Sequence, residues 1–294
     1  MARRDLAVGG AWAVTGATGF LGSHLVRALG ERGVRAVALT RRSAPTLRVE
    51  TRAFELDSPP AESLLQDVTV LVHAAYDFSR RDPTSHWRVN VEGSRRLLDL
   101  AQRNGVRVVH VSSLSAFPGC RSLYGRATLA VEEDVLARGG VVIRPGLIFG
   151  RDAGGIVGAM AAVVRRLPVV PLVGSGDWPQ YTAHVADVVR LILRAGEGRE
   201  VGVWVAAAEE PRTLRRIVEV LAEANDRHPL LLPVPVPLLF AALHAARLAR
   251  VPLRTGTDSL VGLIHANRSP DFGPTRATGV SFRPFDASTV EQAW

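Results

Sequence analysis

Residues 11–22 read Ala-Trp-Ala-Val-Thr-Gly-Ala-Thr-Gly-Phe-Leu-Gly. A short apolar run, Ala11–Thr15, ends in three glycines spaced three apart, Gly16, Gly19 and Gly22. Leu21, Leu25, Val26 and Leu29 then recur at helical spacing. This order predicts a strand, a tight turn and a helix N-terminus. Gly16 permits the turn, Gly19 lets a phosphate approach the backbone, and Gly22 lets helix and strand pack closely. Together with Ala17, Thr18, Phe20 and Leu21, they offer backbone N–H groups and a positive dipole end to a pyrophosphate. Glycine-rich turns also serve structural ends, and it is the flanking strand and helix that make this one a dinucleotide cradle.

Beyond the loop, strands are predicted at Ala11–Thr15, Arg35–Leu39, Arg52–Leu56, Val68–His73, Arg107–Val111 and Val141–Arg144. Helical stretches fall between them at Gly22–Arg32, Ser63–Gln66, His86–Asn104 and Ser122–Ala137. Such alternation argues for an α/β fold, a Rossmann-type doubly wound parallel sheet, over residues 1–150. After Gly150 prolines multiply and helical patterns dominate. Residues 151–294 therefore read as a smaller, mainly C-terminal substrate lobe, with a part near 180–205 returning to the first domain. The substrate is expected in the cleft between the two.

Bulk properties remove several function classes. With 294 residues, 47% of them hydrophobic, the chain can bury a substantial core. Its single cysteine, Cys120, allows no internal disulfide and fits a reducing cytoplasm. No long apolar stretch follows Met1–Asp5, and the apolar region Leu230–Ala246 is broken by Pro233, Pro235 and Pro237. It is too short to span a bilayer, so a soluble protein without a membrane partner is expected. The net charge of +8 comes with 36 arginines and no lysine, but the arginines are scattered among acids. That is the pattern of a solvated basic surface, and no nucleic-acid partner is expected. No His, Cys and carboxylate spacing suggests a metal site.

Thr15–Gly22 resembles the nucleotide loop of the extended short-chain dehydrogenase/reductase superfamily, its NAD(P)-dependent epimerase/dehydratase group. The likeness continues in order through Val70-Leu71-Val72-His73-Ala74-Ala75, Asn90-Val91-Glu92-Gly93, Val111-Ser112-Ser113, Tyr124, Arg144–Gly150 and His184-Val185-Ala186-Asp187. It spans about residues 10–190 and implies roles. His73, Ala74, Ala75 and Asn90 would flank the cofactor, with Pro145, Gly146 and Leu147 beside the nicotinamide. Ser113 would hold the substrate oxygen, with Ser112 and Ser115 as register alternatives, and Tyr124 would exchange the proton. Cys120, His73 and His184 are weaker candidates for acid, base or nucleophile. The resemblance also implies a possible homodimer through helices near 86–104 and 122–137.

At one catalytic position the sequence departs from the family. The family's Tyr-x-x-x-Lys places an ammonium one turn from the tyrosine, on the same helix face, where its charge lowers the phenol pKa. Here the motif reads Tyr124-Gly125-Arg126-Ala127-Thr128, and Thr128 carries no charge. Arg126 should point away from the Tyr124 face, which leaves Arg121 or Arg144 as the candidate cations to serve instead.

The second strand runs into Arg41 and Arg42, where an acidic residue would suit a free ribose hydroxyl. A guanidinium fork suits a phosphate, which favours NADP, with NAD as the alternative. Asp57 is placed at the adenine edge, with Glu55 as its register alternative.

Arg165, Arg166, Arg254 and Arg268 form no motif for a second diphosphate. The apolar run Leu230–Phe240 reads either as core or as the wall of a hydrophobic pocket, with Trp178, Tyr181 and Trp204 as suitable companions. The expected substrate is a small hydrophobic organic molecule, reduced, epimerised or dehydrated at a carbonyl or alcohol carbon. Two other readings stand: a non-redox isomerase, dehydratase or cyclase on the same fold, and a non-catalytic NADP-binding sensor or partner protein.

Overall fold

A computed structural model describes residues 10–80, 82–248 and 257–290. The first half runs β1 (Ala11–Thr15), α1 (Phe20–Glu31), β2 (Ala36–Thr40), β3 (Glu50–Ala53) and β4 (Val68–His73). A helical stretch follows as α2 (Pro83–Trp87), a wider π turn over Arg88–Glu92, and α3 (Gly93–Arg103). Next come β5 (Arg107–Val111), α4 (Leu123–Ala137), β6 (Val141–Pro145), β7 (Leu147–Phe149), α5 (Gly155–Arg166) and β8 (Val169–Val173). The chain continues through β9 (Pro179–Gln180), β10 (Thr182–His184), α6 (Val185–Glu197), β11 (Gly202–Ala206), β12 (Arg212–Thr213) and α7 (Leu214–Ala224). The last elements are β13 (Leu230–Val234), α8 (Val236–Leu248), α9 (Thr257–Ile264), α10 (Gly273–Arg276) and α11 (Ala287–Val290).

Seven parallel strands form the main sheet in the order β11-β6-β5-β4-β1-β2-β3. Its central strands are buried on both faces, which is why they read as unbroken apolar runs rather than alternating ones. Trp12, Val14, Val72, Ile143 and Trp204 pack with Leu25 and Leu29 of α1 and with Val188 and Ile192 of α6. On the opposite face Ala13, Leu39, Leu71 and Val142 meet Leu97 and Leu98 of α3 and Val131 of α4. The strand order reverses at β1 and β4, opening a crevice at their C-terminal ends.

Gly202–Ala206 pairs with β6, so a segment far along the chain completes the sheet. A separate core joins Phe149, Val157, Val164, Leu172, Ile217, Leu221 and Phe285. Three sequence expectations need correction. β3 covers Glu50–Ala53, because Phe54 and Leu56 turn out of the strand into the core. Trp204 is core, while Trp178 donates its indole N–H to the Val173 carbonyl and Tyr181 packs on Phe272, so the three are not gathered as companions around one pocket wall. The run Leu230–Phe240 is largely surface: Leu231 packs on the C-terminal core, but Leu230, Leu232 and Leu238 are 66%, 49% and 60% exposed.

Candidate active site

The crevice is floored by a chain of hydrogen bonds with a single sense. Thr15 Oγ1 accepts from the N–H groups of Ala74 and Ala75, each at 3.0 Å. Its own proton is then directed at His73 Nδ1, 2.8 Å away. That leaves the proton of His73 on Nε2, facing Ser94 Oγ at 2.8 Å, and Ser94 donates to the Asn90 carbonyl. Burial, aided by the neighbouring His110, lowers the His73 pKa to about 3 and keeps it neutral. His73 is thus a fully buried tie behind the wall rather than part of it. His110 Nδ1 donates to the His73 carbonyl at 3.2 Å, which leaves Nε2 as a bare acceptor. That atom is buried and without a partner, and His110 lines the cavity.

The glycines divide their tasks as the sequence predicts. Gly16 has φ +68°, and a Cβ on it would lie 2.8 Å from the Ala74 carbonyl oxygen. A Cβ on Gly22 would lie 2.1 Å from the Gly16 carbonyl oxygen. Gly19 caps α1 with no side-chain bond and no acid in the first turn, so the N-terminus stays open to an anion.

Opposite the loop, α4 begins at Ser122, whose Oγ accepts from Gly125 N at 3.0 Å. Asp258 of α9 accepts from the N–H groups of Leu123 and Tyr124 at 2.6 and 3.0 Å. The Tyr124 ring meets Tyr76 edge-on at 4.7 Å and Phe78 at 5.4 Å. Burial raises the Tyr124 pKa, while the hydroxyls of Ser113 and Thr128 beside it work the other way. Ser112 donates instead to Glu132, which Arg144 holds at 2.9 and 3.1 Å. The register question is thereby answered: Ser113 is the serine beside the phenol. Arg144 is pinned to Glu132, and Arg121 and Arg126 are exposed.

Thr128 is buried and donates to the Tyr124 carbonyl at 2.8 Å. Its hydroxyl also lies against the Tyr76 phenol, which donates to His86 Nε2 at 2.5 Å. His86 Nδ1 in turn donates to the Arg80 carbonyl at 2.8 Å.

These groups surround a cavity of about 250 Å³. Of the residues singled out in the sequence, Gly16, Gly19, Phe20, Leu21, Gly22, Ala74, Ala75, Asn90, Ser112, Ser113, Tyr124, Thr128, Pro145 and Gly146 line it. The others lie elsewhere. Ala17 is core, Thr18 is exposed, and Leu147 packs on the C-terminal core while Ile148 takes the wall. Asp57 is bound by Arg80 at 3.1 Å and by Arg88. Arg41 and Arg42 follow β2, exposed and without a carboxylate partner among the described residues, and the charge of Arg41 is felt at Asp77. Among the described residues no Arg, Asp or Glu lines the cavity. Tyr76, Phe78, Ser94 and His110 were not among the sequence candidates; the alternating aromatics after Ala75 were the available signal for the first two.

Residues 12–205 match the NAD dependent epimerase/dehydratase family. The chain belongs to that family. It is 30% identical to a ceramide reductase of Caulobacter vibrioides, with 97% of this chain and 94% of the relative aligned. It is 27% identical to a dTDP-4-dehydro-6-deoxy-D-allose reductase of Streptomyces bikiniensis, over 83% of this chain and 93% of the relative. In fold it is similar to MoeE5 in complex with UDP-glucose and NAD, with a TM-score of 0.67 and 24% identity over 86% and 97% of the two chains. The family implies a nicotinamide dinucleotide. The uncapped N-terminus of α1 and the side-chain-free Gly19 above it fit the pyrophosphate of such a group.

Proposed function

We propose that this protein is an NADP-dependent reductase acting on a carbonyl carbon of a small, hydrophobic organic molecule. The observation that carries the reading is the placement of Ser113 and Tyr124 together, across an uncharged cavity from the open glycine loop. A bound nicotinamide would supply the hydride. Gly16, Gly19 and the first turn of α1 would hold its pyrophosphate, and Arg41 and Arg42 a ribose phosphate. Ser113 would orient the substrate oxygen and Tyr124 would give it a proton. Because burial raises its pKa, Tyr124 keeps its proton at neutral pH and is better suited to give than to take one. That favours reduction over oxidation. Tyr76, Phe78, Val131 and Ile148 give the cavity apolar walls, and no cation among the described residues lines it for a second diphosphate. The ceramide reductase, the relative aligned over nearly the whole chain, agrees with an apolar substrate.

NADPH oxidation against a panel of apolar ketones and aldehydes tests the reading, with Tyr124→Phe alongside. Turnover that Tyr124→Phe abolishes supports it; turnover indifferent to Tyr124 contradicts it. Thr128 favours a second reading, in which the cofactor is retained for a non-redox reaction or for sensing. Binding of NADPH with no turnover, unimproved in Thr128→Lys, would favour that reading.

A further inference from the structure

Among the described residues seven large apolar side chains stand exposed, and five of them fall in two short segments: Leu167 and Val169, then Leu230, Leu232 and Leu238. β13 lies parallel to β8, with Leu230 opposite Val169 and Leu232 opposite Pro171. The pleat sends these four to one side of the ribbon, while Val170 and Leu172 turn into the core. α8 starts two residues after β13 and exposes Leu238, Ala241 and Ala242. Apolar ledges of this kind mark contact surfaces.

Charge says what the contact is. Arg165 and Arg166 close α5 immediately before Leu167, and Arg227 precedes Leu230 by three residues; all are exposed. None of the three pairs with a carboxylate among the described residues, whereas Arg32, Arg103 and Arg276 elsewhere on the surface do. Asp226, adjacent to Arg227, offsets one of the charges. A second copy of this chain docking face to face would set this cationic rim against itself. An anionic lipid surface satisfies both features, with apolar side chains at the acyl boundary and guanidinium forks on the phosphates.

We infer that this ledge seats the protein on the surface of an anionic lipid bilayer, resting on it without crossing. No described helix is long and apolar enough to cross a membrane. The inference reverses the sequence expectation of no membrane partner, and it does not rest on the reaction proposed above.

Co-sedimentation of the full chain with vesicles tests it, using phosphatidylcholine alone or mixed with phosphatidylglycerol, at low and high salt. Two double variants are compared, Arg165→Glu/Arg166→Glu and Leu230→Ser/Leu232→Ser, each checked by its melting curve and gel filtration. Wild type should partition onto the anionic vesicles only and leave them in high salt, and each variant should bind at least about tenfold less. No binding to anionic vesicles overturns the inference, as does retention by either variant. A wild-type dimer that Leu230→Ser/Leu232→Ser dissociates, with no vesicle binding, assigns the ledge to a second copy and also overturns it.

Discussion

At position 128 an uncharged threonine turns its hydroxyl back onto the Tyr124 carbonyl. The consequence is electrostatic. Burial outweighs the Ser113 and Thr128 hydroxyls, the Glu132 charge acts in the same sense as burial, and the Tyr124 pKa rises above its ordinary value of about 10. A donor that stays protonated loses nothing across neutral pH. Reduction should therefore be flat from about pH 6 to about pH 9 and fall only as the phenol ionises above about pH 10. The pH profile of kcat checks this. Thr128→Lys should lower the phenol pKa and raise the reverse oxidation at pH 8 by about tenfold or more, an effect that Tyr124→Phe removes. The tyrosine and the missing lysine were legible because they sit four apart on one helix. Tyr76 and His86 were not, because only the folded loop after β4 brings them to Thr128.

Two helices contribute their first turns to the lining of the crevice, and their N-termini are finished differently. α1 is left uncapped for a ligand, whereas α4 is capped twice, by Ser122 and by Asp258 of α9. Asp258 thus holds the backbone of Tyr124 from a helix more than a hundred residues away in sequence. Asp258→Ala should cost about 1 kcal/mol of stability, read by thermal or urea unfolding. It should also lower kcat more than it raises KM, because Tyr124 loses its mooring while the cavity wall remains. The strands β1, β4 and β5 were legible to the residue, since burial on both faces leaves an apolar run with clear ends. β3 was not, because Phe54 and Leu56 are buried from outside the strand and mimic its continuation. Periodicity could not place Asp258 either, because the contact is purely tertiary.

Across the whole molecule, the sheet is stitched at its C-terminal edge by two neutral histidines. Burial lowers His73 to about 3 and His110 to about 4, so the unfolded chain, with ordinary values near 6.5, binds more protons than the folded one. Their contribution is complete above about pH 6.5 and is lost as pH falls towards 4 and then 3. Urea unfolding at pH 7, 6, 5 and 4 should show falling stability, and His73→Asn should flatten part of that slope. The Rossmann architecture was legible from alternation, but the surface fate of Leu230–Leu238 was not. An apolar run reads the same whether it is covered by protein or left exposed.

The glycine loop, the uncapped helix α1 and the exposed Arg41 are the parts of one proposed site, for a dinucleotide bearing a 2′-phosphate. Isothermal titration of the protein with NADPH and with NADH, repeated on Arg41→Asp, tests it directly. The prediction is tight binding of NADPH, weaker binding of NADH, and a loss of about tenfold or more for NADPH alone in the variant. Equal binding of both cofactors, untouched by Arg41→Asp, would contradict the phosphate assignment, and no heat from either would contradict the site itself.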